Sequence, residues 1–122
     1  MAWKFDNGSS ISMQIASRLR EGIVSGEYKP GAQFPTVRQL SNDISVNPNT
    51  VQKALSMLEG ENLIYTESTN GKYVTTDEGL IALAREKMAE EKIGRIISLA
   101  KSFSIKKEEL IEYIEKGWDN YE

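Results

Sequence analysis

Two short stripes of apolar residues, each at helical spacing and only about three residues apart, dominate the middle of this sequence. Thr36 offers an N-cap and Gln39 stands three positions on, the spacing of a capping box. Val37, Leu40 and Ile44 then recur at i, i+3 and i+7. After a break at Ser45–Asn47 the pair Asn47-Pro48 opens a second helix, because Asn is a strong N-cap and Pro pre-sets the backbone of the first helical residue. Val51, Ala54, Leu55 and Leu58 share one face of this helix, about 48–61, and Asn62 ends it. Two helices with so short a break have helix-turn-helix spacing. Leu63–Thr66 and Lys72–Thr75 are strand-like and flank the turn Ser68-Thr69-Asn70-Gly71. A hairpin over 63–75, directly after the second helix, has the place of the wing in a winged helix.

The flanks fit around this centre. Ser10 caps a first helix whose stripe is Ile11, Ile15, Leu19 and Ile23, with Ala16 beside it, and Gly26 stops it. The stretch from Glu27 to Pro35 holds two prolines and a Pro-Gly step and is expected to be a turn-rich connector. Thr76 or Asp77 caps a long fourth helix, about 77–101, with Ile81, Ala84, Met88, Ile93, Ile96, Ile97 and Ala100 at helical spacing. Ser104 is expected to cap a fifth, about 104–119, with Leu110, Ile111, Ile114 and Trp118 on one face. The expected fold is mainly α with a small β-hairpin: a winged helix-turn-helix domain at 1–76, then a two-helix tail at 77–122.

Composition narrows the chemistry. The 122 residues include no cysteine and no histidine. A disulfide framework and a thiolate or imidazole metal site are thereby excluded, and an enzyme would have to work with carboxylates, Lys, Tyr or Ser alone. No paired-carboxylate or Gly-rich phosphate-binding pattern stands out, so the chain is read as a non-enzyme. No apolar run approaches the ~20 residues that span a bilayer, and Met-Ala-Trp-Lys-Phe-Asp at the start is unlike a signal peptide. The expectation is a soluble, cytoplasmic protein without a membrane partner. The net charge of −3 argues naively against nucleic acid, but it is unevenly placed. Residues 1–76 carry seven basic and seven acidic side chains, whereas 77–122 carry eight and eleven. The acidity lies in the tail.

Three groups of residues then resemble the GntR family of bacterial regulators: Gly26-x-Tyr28-x-Pro30-Gly31, Pro35-Thr36-Val37-Arg38-x-Leu40, and Val46-Asn47-Pro48-Asn49-Thr50-Val51 with Ala54-Leu55 and Leu58. The Asn-Pro-Asn-Thr-Val form and the short helical tail are similar to the YtrA branch of that family. The sequence departs from the family pattern in places. Thr36 stands where Ser is usual, and Glu61-Asn62-Leu63 replaces Glu-Gly-Leu. The wing reads Thr69-Asn70-Gly71-Lys72-Tyr73-Val74 against Gly-x-Gly-Thr-Phe-Val, so its first glycine is lost.

The resemblance implies a sequence-specific DNA-binding transcription regulator, with repression as the favoured mode, that binds an inverted-repeat operator as a homodimer. The second helix would enter the major groove, presenting Asn49, Thr50, Gln52 and Lys53 while Val51 and Ala54 face the core. Arg38 would reach a base edge or a phosphate beside it; the alternative is an ion pair to Asp43 or Glu59. Thr36, besides capping, would present backbone N–H groups to a phosphate. Asn70, Gly71 and Lys72 would meet the adjacent groove or backbone, or form a solvated hairpin tip. Four basic residues near the motif, Lys29, Arg38, Lys53 and Lys72, are available for phosphate.

Ile93, Ile96, Ile97, Leu110, Ile111, Ile114 and Trp118 are too many large apolar side chains to leave in water, and they are assigned to a dimer interface. Trp118, Tyr113 and Tyr121 would pack in that interface or stack on a ligand. Gly94 would allow a close helix approach or a bend. The tail is too short to enclose a pocket of ~300 Å3 on its own, so no cofactor is expected, and a small-molecule effector between subunits is left open. The competing reading is a winged helix used as a protein-interaction module. The polar Asn/Thr/Gln/Lys face favours DNA over that alternative.

Overall fold

The computed structural model of the chain describes residues 3–68 and 70–121. The elements run α1 (Ile11–Ser25), α2 (Val37–Ile44), α3 (Pro48–Gly60), β1 (Ile64–Glu67), β2 (Gly71–Val74), α4 (Glu78–Ser102) and α5 (Lys107–Gly117), with a closing 3-10 turn at Trp118–Asn120. Contacts divide the chain into two units, Met1–Arg85 and Glu86–Glu122. The division therefore falls inside α4, nine residues beyond the expected boundary at 76.

In the first unit, the ends of the helices explain their lengths. Ser10 Oγ accepts from the Met13 N–H at 3.1 Å to start α1, and Gly26, at φ 87°, stops it. The buried face of α1 is Ser12, Ile15, Ala16, Leu19, Gly22 and Ile23. Ile11 is instead 43% exposed. Steps of four residues turn a helix by about 40° beyond a full turn, so three steps carry Ile11 about 120° away from Ile23 and off the core side.

Thr36 and Gln39 make the capping box reciprocally: the Gln39 N–H donates to Thr36 Oγ1 at 3.0 Å, and the Thr36 N–H to Gln39 Oε1 at 2.9 Å. Asn47 Oδ1 accepts from the Asn49 N–H at 2.8 Å, with Pro48 as first helical residue of α3. At the far end of α3 the Leu63 N–H reaches Leu58 O at 3.1 Å and the Asn62 N–H reaches Glu59 O at 2.9 Å, with Asn62 left-handed at φ 63°. This is the Schellman stop.

α1 and α2 both pack on α3. Between them lie Ile15, Leu19, Ile23, Val51, Leu55 and Leu58, all at 1% exposure or less. β1 and β2 pair antiparallel in the register Ile64↔Val74, Tyr65↔Tyr73, Thr66↔Lys72 and Glu67↔Gly71. Only Ile64 and Val74, at the base, are buried. Thr69 of the expected turn lies outside the described residues.

The connector does more than turn. Its Phe34 N–H donates to Lys72 O at 2.7 Å, and Gly31 and Ala32 exchange bonds with Val74. Held against β2 in this way, it delivers Phe34, 2% exposed, into the core. Asp77 caps α4 through the Leu80 N–H at 3.0 Å. Leu80, Ile81 and Ala84 then pack against the core, and this is why the unit extends into α4.

In the second unit, α4 also ends in a Schellman stop. The Ile105 N–H donates to Ala100 O at 2.9 Å and the Ser104 N–H to Lys101 O at 3.0 Å, with Ser104 at φ 60°. A left-handed residue is not the extended N-cap of a following helix. Ser104 therefore ends α4 and does not start α5 as expected; α5 begins at Lys107, with the Lys106 N–H held by Glu109 Oε1 at 3.0 Å.

Candidate nucleic-acid interface

The turn Ser45–Asn47 sets α3 against α2 so that α3 keeps one face in the core and turns the other to solvent. Ser45 is left-handed at φ 56°, and Ser41 Oγ donates to Val46 O at 2.6 Å to hold the turn. Ser12 Oγ on α1 donates to Thr50 O at 3.1 Å, fixing the first turn of α3 from the other side. The outer face carries Asn49, Gln52, Lys53 and Ser56, all exposed, at the i, i+3, i+4, i+7 spacing of one helical stripe. Thr50 is half-buried at its edge. Ser56 was not singled out from the sequence; the spacing from Asn49 was the available signal. Gln52 Nε2 lies 3.4 Å from Ser56 Oγ, a weak tie.

Arg38 is exposed on the first turn of α2. The alternative of an ion pair to Glu59 is not what forms: Glu59 is bound to Lys72 instead. Among the described residues, no hydrogen bond or ion pair engages the side chains of Arg38, Asn49 or Lys53. Long polar side chains without internal partners remain free to meet an external one. Thr36 is exposed, with its Oγ1 already accepting the Gln39 N–H.

On the hairpin, Asn70 is exposed and its carbonyl accepts from Gln33 Nε2 at 3.0 Å. Gly71, at φ 91°, occupies a backbone region that side chains disfavour. Lys72 is not a free tip residue: its ammonium is bound to Glu59 and Thr66. Tyr65 and Tyr73, also not singled out from the sequence, stack across the strands with ring centroids 5.9 Å apart. Their cross-strand pairing follows from the register.

Other cations are also engaged. Arg20 makes a two-pronged pair with Glu61 at 2.7 and 2.6 Å. Arg18 sits over the rings of Trp3 and Phe5, 5.0 and 5.5 Å from their centroids. Lys29, Arg38 and Lys53 remain exposed around the motif.

The second unit presents a different chemistry. Ile93, Ile96, Ile97, Ile111, Ile114 and Trp118 are 43–73% exposed, and Leu110 is half-buried. Several of them line two open grooves between α4 and α5 of about 510 and 820 Å3. Both hollows are open to solvent, unlike the enclosed pocket that so short a tail was not expected to form. Nothing lies within 4 Å of a Cβ placed on Gly94. Among the described residues no cluster suits a metal ion, and no helix is long and apolar enough to cross a membrane.

The family model described as "Bacterial regulatory proteins, gntR family" matches residues 11–74, the span from α1 to the end of β2 and slightly more than half of the chain. The chain belongs to the GntR family. This GntR chain is 32% identical over 111 residues to the HTH-type transcriptional repressor YtrA of Bacillus subtilis (strain 168), covering 90% of itself and 85% of that protein. Among solved structures it is similar to a GntR family transcriptional regulator from Listeria monocytogenes, with 34% identity, a TM-score of 0.84, and 92% and 98% of the two chains covered. It is also similar to YtrA from Sulfolobus acidocaldarius, a GntR-family transcription factor, at 29% identity and a TM-score of 0.53 over 97% of each chain. These relatives place it in the YtrA-like branch and support the mainly helical winged fold with a two-helix tail.

Proposed function

We propose that this GntR-family regulator is a cytoplasmic repressor that binds an inverted-repeat operator as a homodimer. The observation that carries the reading is the exposed polar stripe of α3 beside an unpartnered Arg38. In this reading α3 lies in the major groove. Asn49 and Gln52 read base edges, Arg38 reads a guanine or holds phosphate, and Thr50, Lys53 and the first turn of α2 at Thr36 hold the backbone. Asn70 and Gly71 meet the adjacent groove or backbone, with Lys72 behind them. The relative named as a repressor supports repression.

The dimer is carried by Ile93, Ile96, Ile97, Leu110, Ile111, Ile114 and Trp118. Each large apolar side chain that becomes buried contributes roughly 1.5–3 kcal/mol, and a second copy offers the same surface in return. An interaction module would show aromatic or leucine side chains on α3 where Asn49, Gln52 and Lys53 stand.

Arg38→Ala should weaken binding to the preferred DNA by about 1–3 kcal/mol, and Asn49→Ala or Gln52→Ala should relax preference at one position per half-site. With Lys72 engaged, three free cations per subunit surround the motif, so the slope of log affinity against log salt should be about −5 or shallower for the dimer. Fluorescence anisotropy on preferred and scrambled duplexes checks both. Equal losses on the two duplexes for every variant would contradict the assignment of base contacts.

A further inference from the structure

Lys72 occupies a position from which a wing residue would be expected to reach DNA, yet its charge is already engaged. It stands opposite Thr66 across the hairpin. Its ammonium donates to Glu59 Oε1 on α3 and, at 2.9 Å, to Thr66 Oγ1. The Thr66 hydroxyl in turn donates to Glu59 Oε2 at 3.2 Å, so side chains from three elements close a ring. Only 18% of the Lys72 side chain and 33% of the Glu59 side chain are exposed. An ammonium has three donors, and two are used here.

The connector ties β2 through its backbone, and Gln33 ties Asn70, whereas among the described residues the side-chain hydrogen bonds that join the hairpin to α3 are those to Glu59. Each strand is four residues long, and burial is confined to Ile64 and Val74 at the base. A two-stranded ribbon of this size is marginally stable by itself. The tie to Glu59 sits two registers beyond that base, where it restrains rotation of the tip against α3.

We propose that Glu59, Thr66 and Lys72 form a strut that sets the angle of the wing to the recognition helix, and that Lys72 is a positioning residue that acts through this angle and not by touching phosphate. The DNA side of this inference rests on the proposed function; the strut itself is testable without DNA.

The variants are Glu59→Ala, Lys72→Thr, the double Glu59→Ala/Lys72→Thr and the charge swap Glu59→Lys/Lys72→Glu, all in the full chain. Amide hydrogen exchange across 64–74, without DNA, should quicken by about two- to fivefold in each single variant, the scale expected of a partly exposed ion pair. The double should be no faster than the faster single, and the swap should return toward the parent. Amides of α1 should not change. On double-stranded DNA, both single variants should weaken binding by similar factors while the salt slope stays at the parent value. Loss of affinity on removing an acidic group cannot come from its repulsion of phosphate. Parent-like hairpin exchange in Glu59→Ala would overturn the strut. So would a Lys72→Thr slope shallower by about 0.9 per subunit, together with tighter binding by Glu59→Ala, because Lys72 would then be a phosphate contact. If the parent binds no DNA, the proposed function fails, and the exchange data alone decide the strut.

Discussion

Gly22 lies on the buried face of α1, under the ring of Tyr28. A Cβ there would come within 2.5 Å of Tyr28 Cε2 and 2.7 Å of Cδ2. The ring cannot easily move away, because it packs on Phe34 with centroids 4.9 Å apart. Alanine would gain roughly 1 kcal/mol in helix propensity, but overpacking costs about 1–3 kcal/mol. Gly22→Ala should therefore lower stability on balance, read as a lower urea midpoint. Burial raises the Tyr28 phenol above its ordinary pKa of 10.0, with the charges of Glu27 and then Asp43 adding to the effect. The fold thus favours the neutral phenol. That contribution is complete below about pH 10 and disappears as pH rises through the folded-state value. Tyr28→Phe should remove this sensitivity, so the melting temperatures of parent and variant should converge or cross only as pH rises above about 10. Tyr28 was visible in the sequence as one letter of the family motif. Its packing partners were not, because nothing in local spacing joins Gly22, Tyr28 and Phe34.

At the scale of elements, the sequence was most legible where one residue type has one physical use. Thr36 with Gln39, Asn47 with Pro48, and Asn62 each stood where their caps and stops formed. The outer face of α3 was legible for the same reason, since apolar spacing on one side dictates what lies on the other. It was less legible where a residue has two uses. Ser104 fits an N-cap by type, but in the left-handed conformation it closes α4. Lys72 reads as a free cation until its cross-strand and helical neighbours are known. The start of α4 is another such case: a hydrophobic pattern does not tell which unit it serves. Leu80, Ile81 and Ala84 cover the winged core. A fragment ending at Arg85 should fold as a monomer. One ending at Thr76 should be less stable by about 2–4 kcal/mol, the scale of two large, partly buried side chains. Urea denaturation with sedimentation of both fragments checks this; equal stability would place the α4 contacts outside the winged core's cooperative unit.

At the scale of the whole molecule, two units carry two kinds of surface. The first offers polar side chains without internal partners, in a fold shared with the GntR regulators. The second offers isoleucines and aromatics that are 43% exposed or more. Under the proposed function, joining the two surfaces in one chain would link recognition to self-association: two copies held by their tails would engage two half-sites, the second contact being made at high effective concentration. Such a dimer transfers its two-fold symmetry to the DNA it prefers. Sequencing the duplexes that the full chain selects from a random pool tests this most directly. The account predicts an enriched inverted repeat with half-site centres separated by about 10 base pairs or a multiple of that. Selected duplexes without a dyad, or no enrichment over the starting pool, would contradict it.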